Sequence, residues 1–323
     1  MANRMDGNAR DTCLMSCPGR NAWKQNLIMT SLPTNAGSFS KAVQQLWERM
    51  NPCTLCPRMC KVNRSKGQTG FCGIGDMPVV SSVGPHFGEE NVLVGSGGSG
   101  TIFFAGCNLG CIFCQNFDIS HHRHGRQVTI EQLIRSMVEL QSYGCSNINF
   151  VTPTHVVPAI AAAIELARRK GLTLPIVYNT GGYDLVETLK LLDGLVDIYM
   201  PDMKYSDSAV AEKLSAAPDY PEVNLAAVKE MHRQVGDLQV EKGLATRGLL
   251  VRHLVLPENL AGSFAIIDFL AEEISRSTTI NVMDQYRPCF KAFEHSEISR
   301  RPTRQEIESV RRYAIEKGLN VLS

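Results

Sequence analysis

From Gly100 onward, short apolar runs alternate with longer stretches of helical period, and no other feature constrains the fold of this chain as tightly. Apolar runs separated by helices build βαβ units and a parallel sheet. Strands are expected over residues 101–105, 147–151, 175–179, 196–200, 249–256 and 279–283. Helices are expected over 129–143, 156–170, 183–191, 206–214, 221–235 and 262–274. A closing helix over 303–317 begins with Thr303, followed three residues later by Glu306, the spacing of a capping box. Six strand–helix repeats are too few to close an eightfold barrel. The expectation is therefore an α/β fold, a partial (β/α)6 TIM-like barrel that is curved and open on one side.

A second pattern precedes the barrel. Cys53-x2-Cys56-x3-Cys60-x11-Cys72 places four thiols among Pro52, Pro57, Gly67, Gly70 and Gly73. Such a segment is too short to have its own core, so bound metal is the expected source of its folding energy. Four thiolates suit tetrahedral zinc and equally a second iron–sulfur cluster, and the uneven spacing is not that of paired zinc knuckles. Residues 1–37 show no sustained period and are expected to form a tail or wrapping arm. Cys13 and Cys17 within it have no neighbouring ligands and are read as free thiols. Residues 38–99, entered through a short helix over 38–50, make a small N-terminal cysteine-rich metal module. Residues 100–323 make the barrel and its C-terminal helix.

Charge narrows the partners. Lysine plus arginine (33) nearly equals aspartate plus glutamate (32), so no basic field draws nucleic acid or an anionic membrane. No apolar run approaches the roughly 18 residues of a membrane span, and residues 1–26 are too polar for a signal peptide. A cytoplasmic location follows as the expectation. Reduced thiols are the rule in that compartment, and seven of the eleven cysteines fall into two tight groups, which points to metal at both.

The second group is Gly106-Cys107-Asn108-Leu109-Gly110-Cys111-Ile112-Phe113-Cys114, directly after the first expected strand. It belongs to a loop at the C-terminal end of that strand, where barrel chemistry collects. Three soft sulfurs at this spacing can wrap one corner of a cubane cluster and leave one iron with an open site. An open iron chelates the amino and carboxylate groups of a methionine moiety, which brings an adjacent sulfonium within reach of one-electron cleavage. The alternative donor set is zinc held by the three cysteines with His121, His122 or His124. Those histidines, with Arg123 and Arg126, are otherwise read as a solvated basic loop.

Cys-x3-Cys-x-aromatic-Cys after a first strand resembles the defining motif of the radical SAM superfamily, matched here by Cys107, Cys111, Phe113 and Cys114. The resemblance implies a 4Fe–4S cluster, S-adenosylmethionine (SAM), an electron donor such as flavodoxin or ferredoxin, and a 5′-deoxyadenosyl radical that abstracts a hydrogen atom. It places Phe113 beside the adenine. Within the superfamily, residues 100–290 are most similar to pyruvate formate-lyase activating enzymes. Asp202-Met203-Lys204 resembles their Asp-x-Lys segment, and Val251-Arg252-His253-Leu254-Val255-Leu256-Pro257 their fifth-strand arginine segment. Met283-Asp284-Gln285-Tyr286-Arg287-Pro288 and the run from Cys53 to Arg64 resemble uncharacterised homologues of those enzymes.

The resemblance thus implies an oxidoreductase in which Asp202, Lys204 and Arg252 are catalytic. Together with Phe113, Thr152, Thr154, Asn179, Thr180 and Gln285 they would bind the cofactor. Where those enzymes carry Gly-Gly-Glu for the SAM amino group, this chain reads Val151-Thr152-Pro153-Thr154-His155, leaving Thr152, Thr154 or backbone carbonyls as acceptors. The implied partner is a glycyl radical enzyme or another protein substrate. Radical modification of a small molecule is the alternative, and a non-catalytic zinc-dependent scaffold is the rival from another class. Cys145 is read as a small core residue, and Cys289 as one that faces substrate.

Overall fold

The computed structural model describes residues 39–322, so Cys13 and Cys17 lie outside the described residues. Ahead of the barrel stand α1 (Lys41–Glu48), β1 (Val79–His86) and α2 (Asn91–Val94). The first repeat holds β2 (Ser99–Phe104), α3 (Phe117–Ser120), β3 (Arg126–Gln127) and α4 (Ile130–Ser142). Next come β4 (Ile148–Val151), α5 (Val157–Arg169), β5 (Ile176–Thr180) and α6 (Val186–Leu189). They are followed by β6 (Ile198–Pro201), α7 (Ser208–Ser215), α8 (Tyr220–Val235) and β7 (Gln239–Glu241). β8 (Leu244–Leu254), α9 (Ser263–Phe269), β9 (Thr279–Met283), α10 (Arg304–Glu316) and β10 (Asn320–Val321) complete the order.

The sheet runs β10-β9-β8-β6-β5-β4-β2-β1-β3. From β2 to β10 every neighbour is parallel, so all six expected strands take their places in one curved, mostly parallel sheet. β1 and β3 extend it antiparallel at one edge, and β7 pairs antiparallel with the start of β8. β8 begins earlier than expected because that start is half of a hairpin, turned through Lys242 and Gly243 with φ of 50° and 85°. The expected helix over 262–274 is α-helical only through α9 and continues as a π-helical turn, Leu270–Ile274. Of the expected helix over 183–191, only α6 is α-helical, because Asp184 ahead of it is drawn into a buried hydroxyl network.

The strand pleat separates two faces. Tyr178, Tyr199, Leu249, Val251 and Val282 pack outward with residues of α5, α8 and α9. Val177, Ile198, Met200 and Leu250 point the other way, where Leu93 of α2 closes over them. Burial on both faces explains why these strands read as continuous apolar runs rather than alternating ones. Asn179, Asp202 and Arg252 each follow an inward residue by two positions, so the same pleat carries them to the inner face at the C-terminal strand ends. Met203 faces outward and is fully buried in the main core, leaving Lys204 to return to the mouth.

The four-cysteine segment folds tightly on itself through Cys53 N–H to Val62 O (2.9 Å) and Lys61 N–H to Cys53 O (3.0 Å). Arg64, only 2% exposed, fastens it to the barrel. Its guanidinium donates to Gly75 O at 2.9 and 2.6 Å and to His155 O at 2.7 Å, and His155 in turn donates from Nε2 to Ala105 O at 2.8 Å. Cys145 is buried in the core beside β4.

Candidate active site

β2 ends at Phe104, and the chain must turn at once if its next residues are to cross the barrel mouth. Gly106, at φ 79°, makes that turn; a Cβ there would stand 2.7 Å from Cys72 O. The loop that follows is held by parts of the chain far away in sequence. Gly110 N–H donates to Ser215 O (3.0 Å), Ile112 N–H to Leu214 O (2.9 Å), and Asn108 Nδ2 to Tyr183 O (2.6 Å). Ser215 Oγ donates to Cys111 Sγ at 2.9 Å, Ser120 Oγ lies 3.2 Å from Cys114 Sγ, and Leu109 N–H points at Cys107 Sγ from 3.4 Å. Burial pushes the Cys107 and Cys111 thiols up; the neighbouring cysteine adds to this at Cys107, while the Lys204 ammonium opposes it at Cys111. Burial likewise pushes Cys56 up to about 12, against the Arg58 amide that donates to it, with Cys72, Cys53 and Cys60 adding to the rise. Among the described residues, no three such side chains are grouped to hold a single metal ion. Thiols have no mutual attraction until a cation replaces their protons.

Opposite the loop is an ionic cluster. Lys204 Nζ donates to Asp202 Oδ2 at 2.6 Å, and Arg252 donates from Nε to Asp202 Oδ1 (3.0 Å) and from Nη2 to Asn179 Oδ1 (2.6 Å). Glu89 approaches the remaining guanidinium nitrogen at 3.9 Å. Burial alone would raise the Asp202 carboxyl, but Lys204 and Arg252 outweigh it and hold the group below the usual carboxylate range. Both cations are in turn held charged: burial alone would lower their pKa values, but Asp202, joined by Cys111 at Lys204 and by Glu90 and Glu89 at Arg252, raises them above the usual ones. The backbone beneath is built to fit. Tyr220 Oη accepts from Lys204 N–H (3.1 Å) and lies 2.9 Å from both Gly181 O and Asp202 O, while Asn224 Nδ2 donates to Gly182 O and Asp202 O. A Cβ on Gly182, at φ 74°, would come within 2.1 Å of Asp202 O, so only glycine serves this turn.

The cysteine loop and the ionic cluster face one cavity of about 240 Å3. Cys107, Cys111, Cys114, Phe113, Thr152, Asn179, Thr180, Asp202, Lys204, Arg252 and Gln285 all line it. Thr154 is not among them: it is buried, and its hydroxyl donates to Asp184 Oδ1 at 2.8 Å. Thr180 and Tyr178 donate to the same carboxylate at 2.6 and 3.0 Å. Thr152, at φ 59°, keeps its place in the cavity wall. Phe113 packs edge-on against Tyr286 with centroids 5.8 Å apart, and Tyr286, buried, donates to Ile298 O at 2.6 Å as an anchor for the segment before α10. Sequence reading missed Ser215, Ser120, Glu89 and Arg58. Ser215 stands 104 residues from the cysteine it bonds, and no local pattern marks such a pair.

The sequence model of the radical SAM superfamily matches residues 101–240. The chain is 33% identical over 280 residues to uncharacterized protein MJ0674 of Methanocaldococcus jannaschii, a match covering 84% of this chain and 76% of that protein. The chain belongs to the radical SAM superfamily. A second Methanocaldococcus jannaschii relative, uncharacterized protein MJ0808, is 24% identical over 295 residues, covering 83% of this chain and 78% of the relative. Among solved structures, a radical SAM methyltransferase from Sphaerobacter thermophilus aligns with TM-score 0.44 and 15% identity over 68% of this chain and 65% of that one. Streptococcus suis SuiB bound to precursor peptide SuiA aligns with TM-score 0.46 and 12% identity over 67% of this chain and 46% of that one. The chain thus spans about two thirds of the first structure's length and under half of the second's. As a radical SAM protein it is an enzyme of the type that works with a 4Fe–4S cluster, SAM and an electron donor. Among the described residues, no helix is long and apolar enough to cross a membrane.

Proposed function

We propose that Cys107, Cys111 and Cys114 hold the 4Fe–4S cluster, and that SAM lies between their loop and the Asp202–Lys204–Arg252 cluster. The observation that carries this reading is the convergence of three spaced thiols and three charged side chains, drawn from separate strand ends, on one cavity. The residues fit the cofactors chemically: the thiols are soft donors, and the opposite wall offers both signs of charge at short range. With SAM bound, the reduced cluster supplies a 5′-deoxyadenosyl radical that removes a hydrogen atom from a substrate.

The protein's own part is positioning and shielding. Lys204 uses one of its three protons on Asp202 and keeps two for a carboxylate or hydroxyl of SAM or substrate. Arg252 is engaged by Asp202, Asn179 and, at Nη1, Glu89, and Asp202 fixes the direction of both cations. Thr154 is committed to Asp184, so Thr152 and nearby carbonyls are the acceptors for the SAM amino group. Asn179, Thr180, Phe113 and Gln285 line the same cavity, and Phe113 would flank the adenine. The Asp202-x-Lys204 and Arg252 segments support, as substrate, a glycine of a partner glycyl radical enzyme. The Cys53, Cys56, Cys60 and Cys72 module is assigned a metal of its own, zinc or a second 4Fe–4S cluster, which iron and zinc analysis of purified protein separates. Flavodoxin or ferredoxin is the assigned electron donor.

The test is anaerobic reconstitution with iron and sulfide, reduction with dithionite, addition of SAM and mass spectrometry of the nucleosides. Parent protein should release 5′-deoxyadenosine and Cys111→Ala should not, with the fold retained because the loop lies outside the packed strands. Parent-like product from Cys111→Ala would overturn the assignment, and zinc in place of iron at these cysteines would favour a scaffold.

A further inference from the structure

Arg58 touches both cysteine groups. It sits between Cys56 and Cys60, and its backbone N–H donates to the Cys56 sulfur. Its side chain leaves the four-cysteine module altogether. Nε donates to Asn108 O at 2.8 Å, inside the Cys107–Cys111 loop, while Nη1 and Nη2 reach Ala216 O at 2.5 Å and Ser215 O at 3.5 Å. Those last two carbonyls lie at the C-terminal end of α7, beyond its internal hydrogen bonds, where Ala216 has turned left-handed, and a cation there meets the negative end of the helix dipole. Ser215 is the residue whose hydroxyl bonds Cys111 and whose carbonyl receives Gly110 N–H. The guanidinium plane is covered by Phe71, the neighbour of Cys72, at 3.8 Å, with the Tyr183 ring at 5.3 Å.

We propose that Arg58 is a positioning residue for the three-cysteine loop, the rigid link through which the four-cysteine module sets the geometry of the SAM-binding cluster. This rests on the reading of Cys107, Cys111 and Cys114 as cluster ligands. The physical case is one of reach and shape. A loop with two glycines and several outward carbonyls has no stiffness of its own, and three donors in a fixed fork pin it to a helix end. The fork is in turn anchored in a backbone folded back on itself through Cys53 N–H to Val62 O and Lys61 N–H to Cys53 O, which a metal at Cys53, Cys56, Cys60 and Cys72 would stiffen further. At the other end of the module a second contact acts in the same sense: Arg123 Nε donates to Cys72 O at 3.2 Å, and Gly106 lies against that same carbonyl. Displacing cluster ligands by about 1 Å is enough to cost roughly a hundredfold in a reaction that depends on alignment.

The experiment compares parent, Arg58→Ala and Arg58→Lys by three readouts, with metal content as the control. In protein prepared without iron, amide hydrogen exchange over residues 106–116 should speed up about tenfold in Arg58→Ala, with exchange over β4, β5 and β6 unchanged. In reconstituted protein, metal content should match the parent at both sites. The electron paramagnetic resonance signal of the reduced cluster should change its response to SAM, and 5′-deoxyadenosine formation should fall about tenfold or more. Arg58→Lys retains the charge and the backbone amide but only a single point of attachment, so it should fall between the two. Parent-like exchange and resonance spectra in Arg58→Ala would overturn the proposal. Should that variant not fold, Arg58→Lys decides, and parent-like behaviour in all three readouts has the same meaning. If the parent itself makes no 5′-deoxyadenosine, the functional reading fails, while exchange in the iron-free protein still judges the link.

Discussion

At the residue scale, the balance of charge at the cavity is the main determinant. Asp202 is bonded to both Lys204 and Arg252, and these side chains are between 14% and 19% exposed. Asp202→Asn keeps the shape and removes the charge, leaving two cations close together in a poorly solvated place. It should cost on the order of 3 kcal/mol in stability, read from a urea titration, and about a hundredfold in 5′-deoxyadenosine formation, while the visible absorption of the cluster persists. Arg252→Lys separates charge from geometry, because an ammonium cannot bridge Asp202 and Asn179 as the fork does. Weaker SAM binding by calorimetry is expected; parent affinity in both variants would remove these residues from the site. The inward parity of Asp202 was legible in the sequence, since Ile198, Met200 and Asp202 alternate with Tyr199 and Pro201. The committed hydroxyl of Thr154 was not, because it depends on Asp184, thirty residues away.

At the element scale, local chemistry settles where helices start. Thr303 Oγ1 accepts from Glu306 N–H at 3.2 Å and Thr303 N–H donates to Glu306 Oε2 at 2.6 Å, the reciprocal pair that the sequence spacing anticipates. Glu306 does more than cap: it also receives Arg300 at 2.9 Å and the Glu258 amide at 2.7 Å, tying α10 to the turn after β8. Thr303→Ala should therefore cost about 1 kcal/mol, and Glu306→Ala more, as measured by chemical denaturation. Equal losses would show that the cross-links add nothing to the cap. β1, β3 and β7 escaped the sequence reading for a common reason. They are antiparallel partners at the sheet's margins, largely exposed, without the unbroken apolar run that marks a strand buried on both faces.

At the scale of the whole molecule, acid should destabilise the fold through buried histidines. His253 is neutral between Met203 O and Ser263 Oγ, both at 2.7 Å, and burial pushes its pKa down to about 4. His155 is pushed down to about 4 by burial and by the nearby Arg64 charge. A depressed histidine binds its proton in the unfolded chain first, so its stability contribution is whole above pH ~6.5 and is lost as pH falls towards 4. Each can cost on the order of 3 kcal/mol over that window. Urea midpoints followed from pH 7 to pH 4 should decline, and His253→Asn, whose amide can still donate where Nδ1 does, should decline less steeply; an unchanged slope would mean that His253 titrates normally. The four-cysteine module enters at this scale too. Cys56→Ala should lower the melting temperature and remove one bound metal while the cluster at Cys107, Cys111 and Cys114 remains. Unchanged metal content and melting temperature together would exclude a metal there.

The sequence by itself determined the order and kind of the main elements, because burial on both faces and helical period are written in consecutive residues. It also determined which thiols share a segment, because cysteine spacing within a loop is a local property. It fixed the inward parity of Asn179, Asp202 and Arg252 as well, since a strand-end residue's direction follows from counting along the pleat. Only the tertiary structure decided what holds that wall in place. Ser215 on Cys111, Arg58 on Asn108 and Asp184 on Thr154 join positions 104, 50 and 30 residues apart. Those contacts exist because the sheet curves and brings the loops at its strand ends over a common mouth, and curvature is a property of the assembled strands that no single segment encodes.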